Sequence, residues 1–325
     1  MLASTRRFKA NANRDADTVA DQTRAMWDEV DPNHIVASWQ YLVPMLTGVI
    51  MEAQQHAGTL AGPYIDEALR LQNSQNPKLG DINPDGLVGT ASDGRQLNTL
   101  LDIPAYEAVK NIGDGMDLEQ ALTSGAAQAE MITRTQVGDA YRQASHVAGT
   151  SRKVTTYVRA LTPPSCSRCI ILSGDDIWWK SDFLRHPQCK CVSIPITDDL
   201  DRPIGEGWDH SDLRINPGAY FDSLSESEQN RIFTVAGAEA IRDGADMNRV
   251  VNARRKAAGL SGPVPEGRKR RSLEIGELGQ YTTRELSLTG SRGQRLVRLM
   301  PEAIYARAGT HEEAIRLLRL HGYIL

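Results

Sequence analysis

Apolar residues recur at helical spacing from residue 17 to about residue 80. Within this region, Asp31 and Pro32 suit the N-cap and the first position of a helix, because aspartate accepts a hydrogen bond from a free amide and proline has no amide to satisfy. Residues 35–69 would continue as that helix, with kinks at its two prolines. The pattern therefore predicts a helical N-terminal region.

Two further helices are predicted beyond a loop. Residues 76–94 are rich in Gly, Pro, Asp and Asn, a composition typical of loops. Residues 97–112 and 118–146 then return to helical spacing. The second of these stretches is alanine-rich and amphipathic, so we expect it to bury one face.

The pattern changes near residue 153. Alternation over residues 154–161 predicts a strand, which Thr162 and two prolines would end. Residues 170–172 and 191–196 are the other short strand candidates.

The last third of the chain is predicted to be helical again. Residues 217–250 form one such stretch, in which Ser225 and Glu228 have the spacing of a capping box. Residues 301–320 form the last helical stretch. Gly309 and Thr310 would split it into two helices, with Thr310 capping the second.

These elements predict a mostly helical α+β fold in three regions. Residues 1–150 would form a helical N-terminal domain. Residues 151–258 would form a small α+β middle domain around the cysteines described below. Residues 259–325 would form a basic linker and a C-terminal helical tail.

The distribution of charge along the chain bears on its binding partners. Residues 249–325 carry 15 basic and 7 acidic side chains, whereas the rest of the chain carries 22 basic and 34 acidic ones. A basic tail on an acidic body indicates an anionic partner, either nucleic acid or an acidic protein surface, or else a solvated helical face. The run Arg268-Lys269-Arg270-Arg271 is our candidate for contacts with a partner or with DNA phosphates.

Composition also bears on location. Aromatic residues make up only 6% of the 325 residues, so aliphatic side chains must build the cores, which favours helices. Pro44 and Gly48 interrupt the longest apolar run, and the first 17 residues are too polar for a secretion signal. We therefore expect no membrane partner, and a protein that stays in the cytoplasm or in a particle assembled there.

All four cysteines of the chain fall in one short segment that also contains a histidine. Cys166 and Cys169 form a C-x2-C pair, and His186, Cys189 and Cys191 form an H-x2-C-x-C group. A C-x2-C turn brings two thiolates to one side at a separation that suits tetrahedral Zn2+, and a hairpin would let the second group complete the coordination. The spacing predicts a structural zinc site. Five candidate ligands compete for four positions, so either four cysteines bind, or three cysteines and His186 bind.

Three other interpretations of the cysteines are weaker. Cytoplasmic cysteines are usually reduced, so a disulfide would have to form later, in a particle. Independent free thiols would not be expected to gather in one segment. A catalytic zinc site usually carries His or Glu and keeps an open position.

The residues around the cysteines resemble the core of the MuF-type head-morphogenesis domain of tailed bacteriophages. The string YVRALTPPSCSRCIILSG at residues 157–174, followed by RHPQCKC at residues 185–191, is similar to the family pattern of C-x2-C, a short gap with a glycine, and H-P-x-C-x-C. Downstream segments also resemble homologues from phages of actinobacteria: residues 216–217 with 220–225, residues 237–246 and 250–255, and residues 298–305. The resemblance spans residues 17–325 and is most specific at the cysteines.

The resemblance implies a minor capsid protein that acts in head morphogenesis, in the procapsid or virion, after synthesis in the host cytoplasm. Its implied partners are the phage portal, scaffold and major capsid proteins. Packaged DNA would be a further partner if the protein acts in packaging or ejection.

Two alternative functions stay open at this point. Related phage genes are often labelled capsid maturation proteases, which need a serine activated by a base. Here Ser145 and His146 are adjacent, and neighbours on a helix do not face each other. We therefore favour an assembly protein over a capsid maturation protease. The other alternative is a DNA-binding virion protein that acts through its basic tail.

Overall fold

The computed structural model describes residues 1–161, 163, 165–197, 213–253 and 301–324, and the backbone alone at 281–286 and 296–299. These residues form a mostly helical α+β fold, as the sequence predicts. The fold contains a small three-stranded antiparallel sheet. The basic run Arg268–Arg271 lies outside the described residues.

The chain forms two compact units. The first comprises residues 1–162 and 175–214, and the second comprises residues 163–174 and 215–325. Residues 154–161 and 191–196, two of the segments predicted as strands, lie in the first unit, and residues 170–172 lie in the second.

Five α-helices, one short 3-10 helix (Pro84–Leu87) and three strands make up the described part of the first unit. The helices are α1 (Ala3–Trp27), α2 (Ile35–Leu71), α3 (Leu97–Leu101), α4 (Ile103–Gly113) and α5 (Leu118–Thr150). The strands are β1 (Thr156–Ala160), β2 (Ile177–Trp178) and β3 (Val192–Ile196).

Helix α5 is the central element of the first unit, since α1, α2 and α4 all pack against it. Its alanines are buried at positions 129, 140, 144 and 148, which lets the neighbouring helices approach closely. Trp39 on α2 is fully buried, and its indole donates a hydrogen bond of 2.7 Å to the carbonyl of Leu101. The predicted amphipathic helix thus supplies the contact surface of an aliphatic core.

The sheet has the order β2-β1-β3, with both neighbouring pairs antiparallel. Every residue of β3 is buried, and α2 covers this strand. The hydroxyl of Tyr64 donates 2.6 Å to the carbonyl of Ser193, and the amide of Gln72 donates 2.7 Å to the carbonyl of Pro195. Tyr64 on α2 and Gln72, the C-cap of α2, thus satisfy carbonyls of the buried strand.

Helix α2 runs without a break through both of its prolines, at positions 44 and 63. We expected no apolar run of membrane-spanning length, yet this helix is long and apolar enough by length and composition alone. The core helix of a globular unit meets the same criterion, and α2 packs along α1 and α5.

The described part of the second unit is formed by seven short helices and one pair of strands. The helices are α6 (Ser167–Ile171), α7 (Pro217–Asp222), α8 (Glu226–Phe233), α9 (Val235–Arg242), α10 (Met247–Ala253), α11 (Pro301–Arg307) and α12 (His311–Leu320). The strands are β4 (Tyr281–Leu286) and β5 (Leu296–Leu299), which pair antiparallel. Val250, Ile304, Leu318 and Tyr323 belong to one small core of this unit.

Two capping predictions for the second unit are confirmed. Ser225 and Glu228 form a reciprocal capping box at the start of α8. Thr310 caps α12, where its hydroxyl accepts a hydrogen bond of 3.2 Å from the amide of Glu313. The predicted split of the last helical stretch at Gly309 is also present, because α11 ends at Arg307.

Three helix predictions for the first unit were wrong in their boundaries. Helix α1 begins at Ala3, far before residue 17, because Phe8 and small neighbours give its first turns a buried face. Helix α2 has His34 as its N-cap, while Asp31 instead accepts a hydrogen bond of 2.9 Å from the amide of Asn33. The helix predicted over residues 97–112 is broken at Asp102, before the proline near the start of α4.

One predicted strand is a helix. The run Ile170–Leu172 has the β-branched residues of a strand, yet residues 167–171 form α6. The Cys166 sulfur accepts a hydrogen bond from the amide of Cys169 and so caps the helix. A local cap therefore overrides the preference of two isoleucines.

Candidate metal centre

The C-x2-C pair lies at the start of helix α6. Cys166 is its N-cap, and the amide nitrogen of Cys169 lies 3.4 Å from the Cys166 sulfur. Cys166 is exposed and Cys169 is buried. The one-turn spacing places the two sulfurs close together, as the motif predicts.

The H-x2-C-x-C group forms a tight turn that leads into strand β3. The amide of Cys189 donates a hydrogen bond of 3.2 Å to the carbonyl of His186. Gln188 closes the turn in the left-handed region, with φ of 61°. Cys189 and Cys191 are both buried, on either side of Lys190.

The ring of His186 has one nitrogen near the backbone. Its Nδ1 atom lies 2.7 Å from the carbonyl oxygen of Pro187. A proton on Nδ1 would be donated to that carbonyl and would leave the lone pair of Nε2 available to a metal, the arrangement found at many histidine metal ligands.

The structure brings the predicted ligands together in two sets of three. Cys169, Cys189 and Cys191 form one set, and Cys166, Cys169 and His186 form the other. Within each set, the ligand atoms all lie within 4.8 Å of one another. Cys169 belongs to both sets.

No disulfide joins any two of the four cysteines. The Lys9 side chain donates to the carbonyl of Leu161 and lies near Cys191. Burial lowers the pKa of the Lys9 ammonium, while the negative charge of a Cys191 thiolate acts in the opposite direction.

Helix α5 holds the turn of the second cysteine pair through one face. The spacing of Thr135, Gly138, Asp139 and Arg142 places them on one side of the helix. The amide of Gln188 donates 3.0 Å to the Thr135 hydroxyl, and Arg142 Nη1 donates 3.0 Å to each of the carbonyls of Cys189 and Cys191.

Gly138 allows this close approach. A β-carbon at this position would lie 3.1 Å from Arg142 Nη2 and 3.5 Å from the carbonyl oxygen of Cys189. The second distance is ordinary van der Waals contact, whereas the first is tight. An alanine at Gly138 would therefore require the Arg142 guanidinium to shift by a few tenths of an ångström.

A second buried arginine lies beside the same turn. Arg159 on β1 has its Nη1 atom 4.0 Å from the sulfur of Cys189, and its Nη2 atom donates to the carbonyl of Leu184. Its guanidinium lies 3.9 Å above the ring of Phe183, which is cation–π geometry. Positive charge is thus held next to the cysteine sulfur.

Asp139 balances part of this positive charge. Its carboxylate accepts 2.6 Å from Arg142 Nη2 and 2.5 Å from both Nε and Nη2 of Arg185. One buried carboxylate is therefore shared by two guanidiniums, and the group keeps a net positive charge.

The five predicted ligands fit a zinc ion by their chemistry. Thiolate sulfur and imidazole nitrogen are the usual ligands of structural Zn2+, and a tetrahedral ion bound at about 2.3 Å holds its sulfurs roughly 3.8 Å apart. The ligand atoms of each set already lie within 4.8 Å of one another. The cluster can therefore hold a metal ion after small side-chain movements.

A cavity of about 540 Å³ in the first unit contains the histidine of the serine–histidine pair. Ser193, His146 and Asp139 all line it. The Ser145 hydroxyl donates 2.9 Å to the carbonyl of Arg142, and the His146 ring stacks on Tyr157 at 5.4 Å between centroids. Among the described residues, the His146 ring makes no hydrogen bond to either serine, so the base–nucleophile contact of a hydrolase is not formed at this cavity.

The spacing of the cysteines and His186 points to the candidate ligands but not to the residues around them. Asp139, Arg142 and Arg159 are buried charged groups that contact the cysteine turn or each other. A signal for two of them exists, since Asp139 and Arg142 interrupt the apolar face of an otherwise alanine-rich helix.

Comparison with known proteins found no relative of this chain. No protein-family model matches the chain, and no similar curated protein or solved structure was found. The inference of function therefore depends on the cysteine cluster and on the resemblance of its motif.

Proposed function

We propose that Cys169, Cys189 and Cys191 bind a structural zinc ion, with either Cys166 or His186 as the fourth ligand. The proximity of the ligand atoms supports this proposal, as does the burial of three of the four thiols. A metal that binds only the folded arrangement adds its binding free energy to the stability of the fold. The segment would then be a zinc-knuckle-like element within an α+β fold.

Metal content tests this proposal directly. Protein purified without chelators should contain about one zinc per chain, as measured by elemental mass spectrometry. Cys169→Ser should lose the ion, because Cys169 belongs to both sets of ligands. Metal-free wild-type protein from zinc-supplemented expression would contradict the proposal.

Two single variants identify the fourth ligand. Cys166→Ser and His186→Ala each remove one candidate and keep the other. The variant that lacks the true ligand should bind zinc more weakly, and its partner variant should retain wild-type affinity. Each variant is therefore the matched control of the other.

We infer that the chain acts in head morphogenesis of a tailed bacteriophage, as a minor capsid protein. The observation that carries this inference is the convergence of the two cysteine groups through which the chain resembles the MuF-type domain. An ion enclosed by four protein ligands has no open position for a substrate, which suits a structural component better than an enzyme. The expected partners are the portal, scaffold and major capsid proteins.

Particle assembly tests the proposed role. The chain is expressed with the portal, scaffold and major capsid proteins encoded in the same genome, and particles are isolated by sedimentation. Wild-type chain should be found in the particle fractions, and Cys169→Ser should be depleted from them. Ser181→Ala, at an exposed position between the cysteine groups, serves as the matched control.

Two outcomes would overturn the inference. Wild-type chain that stays at the top of the gradient while particles form would exclude a particle component. Shortened major capsid protein that appears only when the chain is present would support a capsid maturation protease instead.

A further inference from the structure

We propose that Arg142 and Arg159 are positioning residues of the zinc site. In this proposal, which rests on the proposed zinc binding, Arg142 fixes the backbone of the Cys189–Cys191 turn. Arg159 supplies positive charge beside the Cys189 sulfur. Neither arginine would be a metal ligand.

The role of Arg142 follows from its hydrogen bonds. One guanidinium nitrogen bridges the carbonyls of Cys189 and Cys191, at 3.0 Å each. The same guanidinium is anchored through Nε and Nη2 to Asp139, which is on the same helix one turn earlier. The planar guanidinium of Arg142 is therefore fixed by Asp139 on one side and bonded to the two carbonyls on the other. This arrangement sets the spacing of the Cys189 and Cys191 thiols in the absence of a metal.

The role of Arg159 follows from charge. A zinc ion with four thiolates carries a net charge of −2, and one with three thiolates and a histidine carries −1. Such a charge is costly to bury unless cations lie nearby. The side chain of Arg159 is buried, and its Nη1 atom lies 4.0 Å from the Cys189 sulfur.

The two roles predict different responses to substitution. Arg142→Met removes the bridge, and Arg159→Met removes the charge, with similar side-chain volume in both cases. We expect each variant to bind zinc about 10- to 100-fold more weakly, the usual effect of removing a group that orients or supports metal ligands. Zinc affinity is measured by competition with a chromophoric chelator.

The lysine variants separate geometry from charge. Arg159→Lys keeps the positive charge and should bind zinc within a few-fold of wild type. Arg142→Lys keeps the charge but loses the fork, so its affinity should stay low. The lysine variants also preserve a test if either methionine variant fails to fold.

Arg185→Met is the matched control. Arg185 binds the same Asp139 carboxylate, and its other described hydrogen bond goes to Ser92 rather than to the cysteine turn. Its loss should change zinc affinity less than about threefold. Cobalt-substituted protein gives a second readout, because the thiolate-to-cobalt charge-transfer band and the visible bands of tetrahedral Co2+ should weaken in Arg142→Met but not in Arg185→Met.

The outcomes distinguish this inference from the zinc proposal. Wild-type protein that binds zinc, together with Arg142→Met and Arg159→Met variants that match it within twofold, would overturn the positioning roles and leave the zinc site in place. Wild-type protein that binds neither zinc nor cobalt would overturn both proposals.

Discussion

The packed helices of the first unit and the turn that carries Cys189 and Cys191 are held in different ways. Helices α1, α2, α4 and α5 bury a continuous set of aliphatic and aromatic side chains. In contrast, the buried residues within 180–191 are the two cysteines alone. Hydrogen bonds and ion pairs from Arg142, Arg159 and Asp139 attach this segment to the unit.

The two regions therefore depend on different terms of the free energy of folding. Burial of apolar surface is non-directional and tolerates small displacements. Hydrogen bonds to buried carbonyls depend on geometry, and leaving such groups without partners is costly. We therefore expect substitutions in the helices to change stability without changing zinc affinity, whereas those around the turn should change zinc affinity first.

The largest expected effect is at Trp39. Trp39→Ala removes a fully buried indole, its edge-to-face contact with Trp27 and its hydrogen bond to Leu101. We expect a loss of about 4 kcal/mol in the free energy of unfolding, the usual cost of deleting a large aromatic side chain from a core. Urea unfolding followed by circular dichroism measures this loss.

The control for this variant is an exposed aromatic side chain on the same helix. Tyr41 is 85% exposed, so Tyr41→Ala should leave the unfolding midpoint nearly unchanged. Zinc content should stay at the wild-type level in both variants under native conditions. Loss of zinc in folded Trp39→Ala would show that the two regions are coupled, contrary to this expectation.

A smaller effect is expected at Gly125 on α5. A β-carbon at this position would lie 2.6 Å from the Cη2 atom of Trp27, which is itself buried. Alanine is normally the better helix former, but here the indole would have to move. We expect Gly125→Ala to destabilise the protein by about 2 kcal/mol through overpacking.

At Gly48 on α2, the same substitution is expected to change the free energy of unfolding in the opposite direction. No atom lies within 4 Å of a β-carbon built there, and the position is exposed. Gly48→Ala should therefore stabilise the protein by about 0.5–1 kcal/mol through helix propensity alone. If both alanine variants shifted the urea midpoint in the same direction, close packing at Gly125 would be excluded as the cause.

The sequence predicts the regularly patterned elements well, and it also provides the candidate ligands that the fold brings together. Helix α5 follows from its apolar period, and the caps at Ser225 and Thr310 follow from side chains that act on amides three residues away. The five candidate ligands follow in the same way from short spacings. In each case, the residues that determine the structure are near one another in sequence.

Sequence-based prediction fails where contacts between residues far apart in the chain determine the structure. Helix α1, whose first turns are buried, packs against α2 and β3, and no local sequence pattern predicts these contacts. The bridge from Arg142 to the carbonyls of Cys189 and Cys191 spans 47 and 49 residues. The capping of α6 by a cysteine sulfur was missed for another reason, since thiols are weak acceptors and rank low among capping groups.

An effect of about the same size as that at Gly48 is expected for an ion pair away from both regions. Arg152 is almost fully buried, and its Nε and Nη2 atoms donate 2.5 Å and 2.9 Å to the carboxylate of Asp66. The hydrogen bond from Arg152 is the main cause that lowers the pKa of Asp66. Because the Asp66 side chain is 44% exposed, solvent reduces the value of the pair to about 1 kcal/mol at neutral pH.

The sign of the pH dependence follows from the lowered pKa. A carboxyl whose pKa is depressed by folding stabilises the protein above its unfolded pKa of about 3.9, and this stabilisation is lost as the pH falls through the lower, folded pKa. The difference in unfolding free energy between wild type and Asp66→Asn should therefore be constant from pH 7 to pH 5 and shrink below pH 4. Glu67→Gln, which removes a surface pair with Arg70, should show no measurable difference at either pH. If the difference in unfolding free energy between wild type and Asp66→Asn increased in acid, the assigned ion pair would be contradicted. A change in the zinc affinity of Asp66→Asn would show that even this remote contact acts on the cysteine turn.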